Sequence, residues 1–268
     1  MNREEKIKYL LNREHYSVDD LNMLVGVLRG EGGCPWDMEQ THKSIRNDLI
    51  EETYEVIEAI DTENSELMQE ELGDVLLQVA FHADIEREAG RFEFVDITDG
   101  ICRKLIHRHP HVFGDVNVNS SAQVLLNWDK IKSEEKSRVT VTDKLRSIPP
   151  MLPALMRATK VGKKASCFDF ANANDVMAKL EEETNELKNA MENESVERVS
   201  EELGDLLLTI TSLARKLGVD AEQSLRDATD KFIARFEKVE NAVIDQNSDI
   251  NQMSMQELDE IWEKIKHN

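Results

Sequence analysis

Apolar residues along this chain recur three and four positions apart with charged residues between them, and almost nowhere alternate singly as a half-buried strand would require. Leu203, Leu206, Leu207 and Ile210 show the pattern and fall on one helical face. The periodicity predicts helices over 18–29, 42–60, 65–89, 94–108, 121–135, 154–165, 173–192, 197–217, 221–244 and 255–266, and no strand. Local punctuation agrees: Ser254 with Glu257 reads as a capping box, Ser17 and Asp220 as N-caps, and Gly218 as a C-terminal stop. The expected fold class is all-α.

Sliding the chain against itself changes the picture from one helical array to two. EETYEVIEAI (51–60) faces EETNELKNAM (182–191), and EELGDVLL (70–77) faces EELGDLLL (201–208), both at an offset of 131 residues. Lys104 and Arg108 recur as Lys231 and Arg235, and Trp128 and Lys132 as Trp262 and Lys266, at offsets shifted slightly as loop insertions would shift them. The expectation is a tandem duplication of a helical bundle. Pro149, Pro150 and Pro153 follow a polar stretch, which places the domains at 1–138 and 151–268 with a linker at 139–150.

Composition narrows the class of partner. The 268 residues hold 54 acidic against 33 basic side chains, a net charge of −21, so the surface repels nucleic acid and anionic membranes and suits a divalent cation. No apolar run approaches a membrane span, and the first residues, MNREEKIKYLLNREHY, lack the apolar core and cleavage signature of a leader. Cys34, Cys102 and Cys167 are odd in number and far apart, pointing to a reducing compartment, so the expected location is the cytoplasm.

The repeated carboxylates carry the chemistry. At about 100° per residue, Glu182, Glu183 and Glu186 share one narrow sector, and Glu202 and Asp205 share a face on the next helix. An antiparallel hairpin turning near 189–196 would set Glu183 and Glu186 opposite Glu202 and Asp205. Such a cluster repels itself unless a cation neutralises it, and an all-oxygen donor set suits Mg²⁺ or Mn²⁺. One EExxE alone would be an ordinary solvated face. Recurrence of EExxE and ExxD at the same separation, with Gly73 and Gly204 each inside a helix where glycine costs about 1 kcal/mol, argues otherwise.

These residues resemble a known family. EExxE followed by ELGD, together with GCPWDMEQTH (33–42), LIEETYEVIEAI (49–60), EELGDVLLQVAFHADIEREAGRFEF (70–94) and HRHPHVFGD (107–115), is similar to the MazG-type all-α nucleoside triphosphate pyrophosphohydrolases in their two-domain bacterial form. The resemblance spans nearly the whole chain. It implies a Mg²⁺-dependent enzyme that cleaves a nucleoside triphosphate to the monophosphate and pyrophosphate and works as a homodimer. It carries the triphosphate and metal roles onto Lys179, Glu182, Glu183, Glu186, Glu202, Asp205, Lys231, Arg235, Trp262 and Lys266. Glu182 and Glu183 are then the expected catalytic carboxylates, with Glu183, Glu186, Glu202 and Asp205 holding metal.

The chemistry of the basic and aromatic positions suits those roles. Lys231 and Arg235, one turn apart, could hold a triphosphate, arginine through its planar fork; Trp262 offers an indole for base stacking and Lys266 a further cation. Lys179 precedes Glu182 by one turn, whereas the matching first-half position is Asp48. A phosphate site gains from a cation there, so the main site is expected in the second half. The first half keeps Glu51, Glu52, Glu55, Glu71, Asp74, Lys104, Arg108, Trp128 and Lys132 as a second site or a scaffold.

Other readings fare worse. His107, His109 and His111 straddle Pro110 without structural-zinc spacing, RGEGGCPWD (29–37) lacks the residues of a phosphate loop, and the paired ExxH motifs of a di-iron bundle are absent. A non-catalytic acidic docking module would have no use for the repeated Lys/Arg and Trp/Lys pairs.

Overall fold

The computed structural model describes residues 1–135, 140–246 and 248–266. The chain divides into two compact units, Met1–Lys132 and Ser133–Asn268. Among the described residues every regular element is helical, and the expected helices form, most of them to within a residue or two.

In the first unit, α1 (Arg3–Leu11) packs on α2 (Val18–Arg29), and α2 lies along α5 (Ser65–Glu88), which is paired with α4 (Arg46–Asp61) as a hairpin. The short α3 (Pro35–Glu39) leans on α2, α6 (Phe94–Arg108) on α5, and α7 (Pro110–Phe113) on α6; α8 (Ser121–Glu135) crosses the division between the units. Val25, Ile45, Ala80, Phe81, Ala83 and Phe94 form the core, reinforced by Leu21, Leu76, Leu77 and Ile97. Arg29 is drawn into this apolar setting because each guanidinium nitrogen finds an acceptor: Nε on Asp84 at 3.2 Å, Nη2 on Glu88 at 2.9 Å, and Nη1 on the carbonyls of Asp37 and Gln40 at 2.6 and 3.1 Å. A buried charge is tolerated only with such complete pairing.

In the second unit the hairpin is α11 (Ala173–Asn193) with α12 (Val196–Leu217). Here α9 (Val141–Arg146) packs on α10 (Ala154–Lys164), α10 packs on α12 and α13 (Ala221–Asp245), and α13 carries α14 (Met255–Lys266). Each unit thus places a preceding helix against the second strut of its hairpin, α2 on α5 and α10 on α12. The caps read from sequence are in place: Ser17 bonds the Asp20 amide, Asp220 those of Glu222 and Gln223, Ser254 pairs with Glu257, and Gly218 takes the left-handed backbone at φ 71°.

Three expectations differ from the structure. The stretch expected as a linker contains α9, capped by Thr140 and Asp143, and its Ile148 is buried; position 139 and the expected domain end at 136–138 lie outside the described residues. The helix expected from 42 begins at Arg46, because Ser44 and Thr41 bond each other's amides in a turn. α1, α3 and α7 were not expected; α3 and α7 each start on a proline, whose fixed φ suits a first helical position.

Candidate active site

The second hairpin is set up by its termini. Asn172 accepts from the amides of Asn174 and Asp175 to start α11, and Ser195 accepts from the Arg198 amide to start α12. From those starts, Lys179, Glu183 and Glu186 fall at i, i+4 and i+7 on the face of α11 turned to α12, and Glu202 looks back from α12. A cleft of 710 Å³ opens between the helices, lined by both sets of carboxylates, including Glu182 and Asp205, and by Lys179 and Arg198.

Within it, Glu183, Glu186 and Glu202 each offer an oxygen within 4.8 Å of the others. Glu183 and Glu202 are buried, and Glu183 Oε2 has no hydrogen-bond partner. An unpaired buried carboxylate oxygen beside two further carboxylates is a costly arrangement that a hard divalent cation satisfies, so these residues fit such an ion. Asp205 lines the cleft but stands outside the close set of three. Lost hydration, then the neighbouring charges of Glu183 and Glu202, raise the Glu186 carboxyl above its ordinary value, with Lys179 opposing.

Two cations meet this charge. Lys179 Nζ lies 2.8 Å from Glu182 and 2.9 Å from Glu183, and those hydrogen bonds push its own pKa up. Arg198 binds Glu202 through Nη2, Glu201 at 2.5 Å and Glu194 at 3.1 Å. Arg198 was not among the expected site residues.

The first hairpin repeats the cluster at the matching positions: Glu52, Glu55 and Glu71 bring oxygens within 4.8 Å, while Glu51 is exposed and Asp74 stays outside the set. No cation occupies the positions of Lys179 and Arg198, which are Asp48 and Leu67. Burial, then the proton that a neutral Glu52 can share with Glu55, and the charges of Asp74, Glu55 and Glu71 lift the Glu52 carboxyl to about 7, and burial with Glu55 raises Glu71. Gly73 and Gly204, each one residue before the aspartate, lie on open helix surface where a Cβ would meet nothing within 4 Å.

The remaining expected residues do not line the second cleft. Lys231 is exposed and Arg235 half-buried on α13, and Trp262 rests 5.3 Å from Phe232, with Lys266 one turn further along α14 paired to Glu263. In the first unit Arg108 is buried with its guanidinium 5.4 Å over the Trp128 ring, which also meets His109 edge-on at 4.9 Å, while Lys104 is exposed. Trp128 is thereby packed against its own unit, and Lys132 has a partner within the protein. Among the described residues only the two glutamate clusters gather metal-type ligands; His107, His109 and His111 do not, and all three cysteines are free.

Sequence reasoning missed two further polar assemblies. His42 bonds His82 at 2.7 Å and Glu86 at 2.6 Å; Arg91 and then His42 hold the Glu86 carboxyl down at about 2. In the second unit Asp169 receives Arg215 at 2.6 and 2.5 Å and Lys216 at 2.8 Å, tying the segment before α11 to the end of α12.

Two helical units, each with EExxE facing ExxD across a hairpin, define an all-α protein with a carboxylate-lined candidate metal site in each copy. The family model for the MazG nucleotide pyrophosphohydrolase domain matches residues 40–113 and again 172–240, so the chain belongs to the MazG family. The matched segments take in both hairpins and stop short of Trp128 and Trp262. The chain is 44% identical to the nucleoside triphosphate pyrophosphohydrolase/pyrophosphatase MazG of Thermotoga maritima, over 92% of this chain and 95% of that protein. It is 40% identical to the nucleoside triphosphate pyrophosphohydrolase of Escherichia coli K12, over 93% and 97%. It is also 38% identical to the uncharacterized protein YabN of Bacillus subtilis, over 98% of this chain and 53% of that protein.

Proposed function

We propose that the α11–α12 cleft hydrolyses nucleoside and deoxynucleoside triphosphates to monophosphate and pyrophosphate, with Mg²⁺ or Mn²⁺ held by Glu183, Glu186, Glu202 and Asp205. The general activity, hydrolysis of diphosphate bonds in nucleoside triphosphates, follows from family membership. The observation that supports this placement is the convergence of three carboxylates on one cleft with the Glu183 Oε2 atom left unpaired. A bound divalent ion would neutralise phosphate charge and lower the pKa of a coordinated water. Glu182, at the mouth and oriented by Lys179, holds the attacking water and takes its proton. The water oxygen forms the new P–O bond, the anhydride P–O bond breaks, and pyrophosphate leaves against basic side chains.

Lys231, Arg235, Trp262 and Lys266 are the proposed triphosphate and base contacts, and a second copy of the chain is the proposed means of bringing them to the cleft. Leu203, Leu207 and Ile210 on α12 and Leu225, Phe232 and Phe236 on α13 are all exposed apolar side chains, the kind of surface that a second copy would cover. That supports a homodimer. The cleft is lined by charged and amide groups suited to phosphate and metal, with no aromatic ring, which supports broad base specificity and a role in regulating or cleansing the nucleotide pool. The acidic surface and the lack of any described helix long and apolar enough to span a membrane fit a cytoplasmic setting without nucleic acid. The first hairpin, with Glu51, Glu52, Glu55, Glu71 and Asp74, is proposed as a weaker site or scaffold.

The test is product analysis by anion exchange after incubation with each triphosphate, with Mg²⁺ and with EDTA. Metal-dependent monophosphate and pyrophosphate, lost in Glu183→Gln, are expected; full turnover by that variant would move catalysis away from this cleft.

A further inference from the structure

We propose that Arg198 is the built-in counter-ion of the second carboxylate cleft, and that it sets the cleft's divalent-cation affinity by competing for Glu202. The inference rests on reading the cleft as a metal site. Arg198 stands in the first turn of α12, one turn before Glu202, with its side chain about half exposed and Glu202 buried beneath it. The carboxylate that Arg198 Nη2 binds is the same one that completes the close set with Glu183 and Glu186. On the opposite helix Lys179 occupies Glu183 in the same manner. The cleft's carboxylates are therefore met by a cation from each helix, and a divalent ion entering it competes with the guanidinium for Glu202.

The geometry also says where the guanidinium goes. Arg198 is held independently by Glu201 through Nη1 at 2.5 Å and by Glu194 through Nε at 3.1 Å, so releasing Glu202 leaves it anchored at the cleft mouth. Exchange costs one charge-assisted hydrogen bond and no large movement. The first hairpin supplies the contrast: Leu67 stands at the Arg198 position and Asp48 at the Lys179 position, and burial beside neighbouring carboxylates raises Glu52 and Glu71 instead. Duplication has left two similar carboxylate sets, only one of which carries its own competing cations.

The test measures metal binding in the full chain by titrating Mn²⁺ and following the free ion by electron paramagnetic resonance. Glu183→Gln identifies which part of the isotherm belongs to this cleft. Arg198→Leu, which installs the first-hairpin residue, should tighten that part about tenfold, equivalent to about 1.4 kcal/mol. Arg198→Lys, which keeps a cation, should return affinity most of the way to wild type. Lys188→Leu, which removes a positive charge from α11 outside the cleft, should change nothing. Unchanged or weaker binding in Arg198→Leu, or equal tightening in Lys188→Leu, would overturn the proposal. Should Arg198→Leu lose helicity by circular dichroism, Arg198→Gln replaces it with the same expectation. Absence in wild type of any binding that Glu183→Gln removes would instead refute the metal reading itself.

Discussion

Replacing Asp169 by asparagine should destabilise the second unit by about 2 to 3 kcal/mol, through the cation it abandons more than through the bond it loses. Asp169 accepts both arms of the Arg215 fork and the Lys216 ammonium, with side chains only 14%, 13% and 20% exposed. Arg215 Nε already lacks a partner, and the arginine is crowded by Gly162, where a Cβ would come within 3.1 Å of it. It cannot swing to water without opening α10 from α12. Breaking a buried ion pair from one side costs about 3 to 5 kcal/mol; the residual exposure and the one acceptor that asparagine retains bring the figure down. Urea unfolding at pH 7 followed by circular dichroism reads the loss directly, and Asp169→Asn with Arg215→Met should recover most of it by removing both charges. The arginine and lysine hold the Asp169 carboxyl well below 3.8, so the stabilisation is complete above that value and is lost as pH falls toward the folded-state pKa. The variant should therefore approach wild type in strong acid. A loss below about 0.5 kcal/mol at pH 7, the range of ordinary surface substitutions, would refute the reasoning.

Three other outcomes are expected. Arg29→Met should cost the first unit about 3 kcal/mol in urea unfolding, because Asp84 is left buried with only Arg87 beside it. Glu52 has its pKa raised to about 7, so in EDTA its folded form holds a proton that the unfolded chain releases from about pH 4.5 upward. Stability then falls as pH rises toward 7, and Glu52→Gln should raise the melting temperature at pH 8 while leaving it unchanged near pH 4. Asp205→Asn should remove most metal-dependent turnover in the product assay with circular dichroism intact.

The helices were legible because their determinants are local. Ser17, Asp220 and Gly218 each act within a few residues of themselves, and the apolar spacing of α12 needs no distant partner. α1 escaped because REEKIKYLL gathers its charges at the start and its apolar residues at the end, with little amphipathic contrast; its order comes from a capping box at Asn2 and from packing on α2. The polar stretch before the prolines shows little apolar period, and α9 forms there on a capping box of Thr140 with Asp143. The glutamates emerged from the repeat, and the same reliance hid Arg198, whose counterpart is Leu67. His42 with His82 and Asp169 with Arg215 join residues 40 and 46 positions apart, and no local pattern announces such pairs.

The bare helix surface at Gly73 and Gly204 has a practical consequence. Among the described residues none comes within 4 Å of a Cβ placed there, so alanine would strengthen each helix by about 1 kcal/mol without a clash. Both copies forgo that gain, one residue from the aspartate of ExxD. A methyl group at Gly204 would stand on open helix surface one residue from Asp205, which lines the cleft. An engineer seeking heat resistance would find an easy gain one residue from the cleft's own carboxylates.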